Sequence, residues 1–181
     1  MCAAGNRPEA VELFMSDHQT VQEKLEKLEK IFLQLKDDMA IPGKADITFL
    51  WEMADIFDTE LVVHFQREEK ALFPVMEKYV PRDEGPVGVM LEEHEKIFEI
   101  IDAFKDDVET LSEAEGLSEV SLEDAAYNTH TLIETLRGHI DKEDNMLLST
   151  AESHLKAEDW SSVWQEMEKI TLQTMRTILG G

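Results

Sequence analysis

The chain has 181 residues, of which 43% are hydrophobic and 31% charged, with a formal net charge of −23. That acidity excludes nucleic acid and anionic membrane as natural partners, because both need clustered Lys and Arg. No apolar run approaches the roughly 20 residues of a membrane span, the N-terminal stretch lacks the basic start and apolar core of a secretory signal, and the one cysteine, Cys2, permits no intramolecular disulfide.

A cytoplasmic location is therefore the default, and the length suits a single domain over residues 1–181. Helix formers dominate, and Gly and Pro gather at a few breaks: Ile41-Pro42-Gly43-Lys44, Pro81 to Pro86, and the stretch around Gly116, with a weaker break from Leu155 to Asp159. The helices between them are expected at 9–39, 46–78, 87–111, 121–154 and 160–178. Asp46, Ser121 and Asp159 are candidate N-caps.

Each of the first four segments carries an apolar seam in steps of three and four. The first runs Phe14, His18, Val21, Leu25, Leu28, Phe32, Leu35, and the second Phe57, Leu61, His64, Glu68, Ala71, Val75. The third runs Met90, His94, Ile97, Ile101, Phe104, Val108, and the fourth Leu132, Leu136, His139, Glu143, Met146. Such seams face inward in an antiparallel bundle. No strand-like alternation competes. The expected fold is all-α: an up-down-up-down four-helix bundle over about 9–155, capped by a C-terminal helix with Trp160, Trp164, Met167, Ile170 and Met175. Pro74 should disturb the second helix just past His64 and Glu68.

The seams contain an internal repeat. His64-Phe65-Gln66-Arg67-Glu68-Glu69 returns as His139-Ile140-Asp141-Lys142-Glu143-Asp144, and each copy follows a lone histidine in an acidic context, His18 or His94. The lone histidines are 76 residues apart and the paired ones 75. A His and a Glu four apart share one helix face. Two such helices, with two more giving one His each, converge four imidazoles and two carboxylates on the core. Buried carboxylates without partners are very costly, and bound cations remove that cost. The expected arrangement is two metals, His18 with His64 on one and His94 with His139 on the other, bridged by Glu68 and Glu143. Imidazole and carboxylate together suit iron or manganese, with zinc also open. A lone HxxxE is common by chance, and a lone core His is usually structural. The weight lies in six such residues sharing the seams and the repeat. The ferritin-like pattern fits less well, since it places Glu before His at a spacing of three.

In these residues the chain resembles the hemerythrin-like, HHE cation-binding family, over roughly residues 10–155 and most strongly in His64 to Pro74 and His139 to Asp144. The resemblance implies a four-helix bundle around two non-heme iron ions with an oxo or hydroxo bridge. Members include oxygen carriers, oxygen or redox sensors, peroxide-handling proteins and an iron-sensing domain. Carriers have a second histidine four residues after the third-helix one, where this chain has Phe98. They also use an Asp at spacing five where this chain has Glu143 at spacing four. The resemblance thus implies a more open metal and oxygen, peroxide or another small molecule as ligand, rather than stable oxygen carriage. Phe98, Ile97 and Leu136 are the expected pocket lining.

His130 falls on the opposite helix face from His139, and His154 lies about three turns beyond Glu143. Both are set aside as ligands. Glu69 and Asp144 are expected to point outward into solvent, with a role in supporting the ligands left open. The leading functional reading is a di-iron protein that stores, senses or consumes oxygen or an oxygen-derived ligand. A di-iron oxidase or peroxidase is an alternative, as is an iron-responsive regulatory or storage module that would need a protein partner. A metal-free bundle would leave inward carboxylates unexplained.

Overall fold

The computed structural model describes residues 7–38, 42–113 and 119–179. Cys2, Ile41 and Gly116 lie outside them. Among the described residues there are five helical rods and no strand. The first is Glu9–Asp38. The second, residues 44–76, combines α-helix Lys44–Ile56, a π turn Phe57–Leu61, α-helix Val62–Arg67, a second π turn Glu68–Leu72 and a closing turn Phe73–Met76. The third is Pro86–Ser112. The fourth, residues 119–154, is α-helical over Glu119–Lys142 and Leu148–His154 with a π turn Glu143–Leu147 between. The fifth is Ala157–Leu179. None of these helices is long and apolar enough to cross a membrane.

The first four rods form a closed ring, each packed on the next and the fourth on the first. Two hydrophobic clusters show their antiparallel order. One joins Leu25, Leu28 and Phe32 of the first helix to Leu50, Phe57, Ile101, Phe104, Ala125 and Leu132. The other joins Val11 and Phe14, at the opposite end of the first helix, to Leu72, Met76, Val87, Leu147 and Ala151. The fifth helix adds Val163, Met167 and Ile170 to the second cluster and packs along the first and second helices. Burying such side chains stabilises the fold by about 1.5–3 kcal/mol each.

The seams read from the sequence are buried except at half-buried Val21 and at Met146, whose exposure has a clear cause. Met146 is 53% exposed, and Leu147 is buried in its place. The π turn beginning at Glu143 adds one residue to that turn, so the inward position moves on by one. Two of the expected N-caps also move. The second helix is capped at Gly43, and Asp46 sits at its third position, its Oδ2 accepting the Gly43 N–H at 2.9 Å. Asp159 likewise accepts the N–H of Lys156, just before the fifth helix, at 3.1 Å. Both carboxylates therefore satisfy helix-start donors from inside the first turn, the reach-back half of a capping box. Ser121 lies inside the fourth helix. Pro74 falls in the first turn of Phe73–Met76, directly after a π turn, a position where a missing N–H is tolerated.

Gly138 is mid-helix, and a Cβ there would meet nothing within 4 Å. Gly138→Ala should therefore stabilise the protein by about 0.5–1 kcal/mol, read as a higher denaturation midpoint with an unchanged slope.

Candidate metal centre

Between the two hydrophobic clusters lies a layer of six buried polar residues. His18, His64, His94 and His139 are 2–4% exposed, Glu68 1% and Glu143 0%. His18 Nε2 lies 2.7 Å from Glu143 Oε2, and the His64 and His139 Nε2 atoms lie 3.7 and 3.4 Å from that carboxylate's oxygens. Glu68 Oε2 lies 3.2 Å from His94 Nε2 and 3.9 Å from His64 Nε2. The donors fall into two overlapping groups: His18, His64 and Glu143, and Glu68, His94, His139 and Glu143. Glu143 belongs to both.

The outer face of the site is a closed wheel of carboxylates. Each histidine turns its Nδ1 to an acid on the preceding helix of the ring. Asp17 on the first helix meets His64 on the second at 3.2 Å. Glu69 meets His94 at 2.6 Å, Glu93 meets His139 at 3.0 Å, and Asp144 on the fourth helix meets His18 on the first at 2.8 Å. Each acid stands next in sequence to a donor of its own helix. A carboxylate on Nδ1 fixes the tautomer and turns Nε2 to the centre. Glu69 and Asp144 thus each contact a histidine while staying partly exposed, 35% and 28% of the side chain. The π turns starting at Glu68 and Glu143 leave the following acid within reach of the neighbouring helix. Two acids of the wheel carry a cation as well: Arg67 Nη1 donates to Asp17 at 3.0 Å, and Lys142 donates to Glu93. In the sequence Asp17 and Glu93 are no more than the acidic neighbours of His18 and His94. That adjacency is the one signal of their role.

Burial and these carboxylates set the protonation of the metal-free site. Burial opposes the charged form of His18, but Asp144 and Glu143 outweigh it and lift its pKa to about 9. Burial likewise opposes charge on His64, and Asp17 and Glu143 overcome it, so its pKa is raised. For His94 burial wins over Glu69, and its pKa is lowered. Burial and the neighbouring Glu143 push Glu68 well above the usual carboxylate range. Glu143, though equally desolvated, is held well below that range by the Glu68 carboxyl and the His139, His18 and His64 imidazoles that face it.

His18 Nε2 and His64 Nε2 lie 3.2 Å apart, and the other inner atoms make no well-directed hydrogen bond. Glu68 Oε2, His94 Nε2, His139 Nε2 and both Glu143 oxygens are buried and unpaired. An unpaired buried polar atom costs about 1–3 kcal/mol. Five such atoms on one layer are a donor set that a cation fits, while the outer hydrogen bonds keep the donors in place. His130 and His154 are exposed and outside this layer.

Aromatic rings close one flank. Phe65 stacks on His94 with centroids 3.8 Å apart, and Phe73 also lies over His94 at 6.0 Å. Phe98 packs edge-on against Phe65 and is 37% exposed. It therefore seals the surface and opens no pocket, and Ile97 belongs to the hydrophobic core. The free space lies on the other flank, where a cavity of about 370 Å³ adjoins His18, His64, His139 and Glu143. Of the three residues expected to line a pocket, Leu136 alone does so.

Fold and site define a helical-bundle protein built around a buried imidazole–carboxylate cation centre. A family model described as the hemerythrin HHE cation-binding domain matches residues 9–151, and the chain belongs to that family. No curated protein matches the chain.

Proposed function

We propose that this protein holds two non-heme iron ions in the His18, His64, Glu68, His94, His139 and Glu143 layer and uses them to bind oxygen or an oxygen-derived ligand. The observation that carries the reading is the pair of overlapping donor groups sharing Glu143. One ion would take His18 and His64, the other His94 and His139. Glu143 would reach both, with Glu68 as the second carboxylate. Mixed nitrogen and oxygen donors suit iron, and manganese or zinc would also be accepted. Bound iron would supply the redox chemistry that activates or holds the small ligand.

The chain's own part is orientation and exclusion of water. Asp17, Glu69, Glu93 and Asp144 hold the imidazoles in one tautomer. Phe65 and Phe73 dry the His94 flank. The cavity admits ligand on the His18–His64 flank. Sensing, storage and consumption of the ligand all remain compatible with this geometry, and a sensor would need a partner protein to read it.

The test is metal content per chain, with ultraviolet–visible spectra after reduction and after return to air. About two irons per chain with an air-dependent spectrum is the expected result. A chain that takes up no metal after anaerobic ferrous loading would sink the reading. Persistence of the oxidised spectrum separates storage from consumption.

Loading should also depend on pH. Donors bind metal only when deprotonated, and the metal-free site holds protons on His18, raised to about 9, and on Glu68, raised well above the carboxylate range. Affinity should therefore rise with pH until His18 loses its proton near 9. Titration against a competing chelator measures it, and an affinity flat from about pH 6 to about pH 9 would contradict these assignments.

A further inference from the structure

The cavity beside the centre is far larger than an oxygen-derived ligand needs. Its volume is about 370 Å³, whereas a water-sized guest occupies roughly 30 Å³. Pockets for small organic molecules begin at roughly 300 Å³.

Three departures from the internal repeat build it. The π turn Phe57–Leu61 supplies Thr59 and Leu61 to its wall, while the equivalent stretch of the fourth helix, residues 132–136, is regular α-helix. Ile140 lines the cavity with an aliphatic side chain at the repeat position of Phe65, whose ring stacks on His94 and also borders the cavity. The fifth helix, outside the family-matched residues 9–151, contributes Thr171 and Thr174. Thr20 and Glu60 are exposed on the lining, so the cavity reaches the surface.

The polar groups limit what can enter. Arg67 spends Nη1 on Asp17 and Nη2 on Thr171, and its buried Nε has no partner. Each Nη carries a second N–H that these two bonds do not use, so the guanidinium on the lining can still donate to an oxygen acceptor. Asp17, Glu60 and Glu143 also border the space and, with no cation bound, would repel an anion. The rest is largely apolar, the side chains of Val21, Leu61, Val63, Leu136 and Ile140 and the ring of Phe65.

We propose that this cavity binds a small neutral organic molecule with an apolar body and one oxygen acceptor, presented to the His18–His64 flank of the centre. The inference rests on the metal reading for what lies at the cavity floor, while the binding itself does not need the metal.

The experiment is calorimetric titration of the full chain, iron-loaded and metal-free, with cyclohexanone and with acetophenone, using cyclohexanecarboxylate as the anionic comparator on the metal-free protein, where no bound cation can take its carboxylate. Saturable one-to-one binding of a ketone, with the carboxylate weaker, is expected. Ile140→Phe, which copies the filled flank, and Thr174→Phe, which fills from the fifth helix, should each weaken ketone binding at least about tenfold while iron content is unchanged. If one variant does not fold, the other carries the test. Neither ketone binding saturably, the carboxylate binding more tightly, or undiminished affinity in the folded variants would each overturn the proposal. Iron retained without ketone binding defeats this inference alone. Ketone binding without iron uptake defeats the metal reading and leaves the cavity assignment standing.

Discussion

Glu143→Gln is expected to remove metal from both positions, and Glu68→Gln from one. The glutamine keeps the volume and an acceptor oxygen but loses the charge. Glu143 is completely buried, and neither of its oxygens makes a well-directed hydrogen bond, although His18 Nε2 lies 2.7 Å from one of them. It is also the only residue common to the two donor groups. An anionic oxygen facing a divalent cation in a dry layer is worth far more than the neutral amide that would replace it. The affinity lost should exceed about 100-fold at each ion, above the 10–100-fold that outer supports usually contribute. Glu68 stands in one group, 3.2 Å from His94, so its variant should lose chiefly the His94–His139 ion. Metal-to-protein ratios of the two variants, taken from one preparation series, decide the matter. Equal losses would mean that both carboxylates bridge. Full occupancy in Glu143→Gln would remove this residue from the donor set.

The inner layer was legible in the sequence because periodicity and chemistry coincided there. His18, His64, Glu68, His94, His139 and Glu143 stand on seams whose apolar members have to be buried, so the polar members are carried inward with them. Helix number and order followed from Gly and Pro breaks. What the sequence hid depends on geometry that a uniform helical wheel lacks. Met146 was assigned inward on a regular turn, and the π turn at Glu143 moved that position to Leu147. The same irregularity put Asp144 against His18, when a wheel pointed it at solvent. π turns gather at functional sites, and here two of the three begin at the two glutamates. Capping misled for a similar reason. Asp46 and Asp159 bond to helix-start N–H groups, but from within the first turn. The location of free space was hidden altogether. Phe98 looked like the mark of an open position beside His94, yet that flank is filled by Phe65 stacked on the imidazole. The open flank depends on Ile140 and on a fifth helix that the repeat does not contain.

The outer wheel leads to the second large effect, at Asp17. Asp17 Oδ2 accepts from both His64 Nδ1 and Arg67 Nη1. Asp17→Ala removes two interactions that act on different quantities. Loss of the imidazole's acceptor frees His64 to rotate or switch tautomer, and metal affinity should fall about 10–100-fold. Loss of the guanidinium's acceptor leaves Arg67, with only 12% of its side chain exposed, holding a single bond to Thr171. Hydrogen bonds to charged groups contribute about 1.5–3 kcal/mol, so the metal-free protein should lose about that much stability. The double variant Asp17→Ala, Arg67→Met separates the two effects. Removing the stranded charge should recover most of the stability, because the aliphatic part of the side chain still packs. It should not recover the affinity, because His64 still lacks its acceptor. Denaturant unfolding of the metal-free proteins and chelator competition of the loaded ones measure the two quantities independently. If affinity returned together with stability, the wheel would serve only to hold the bundle, and the histidines would need no orientation from it.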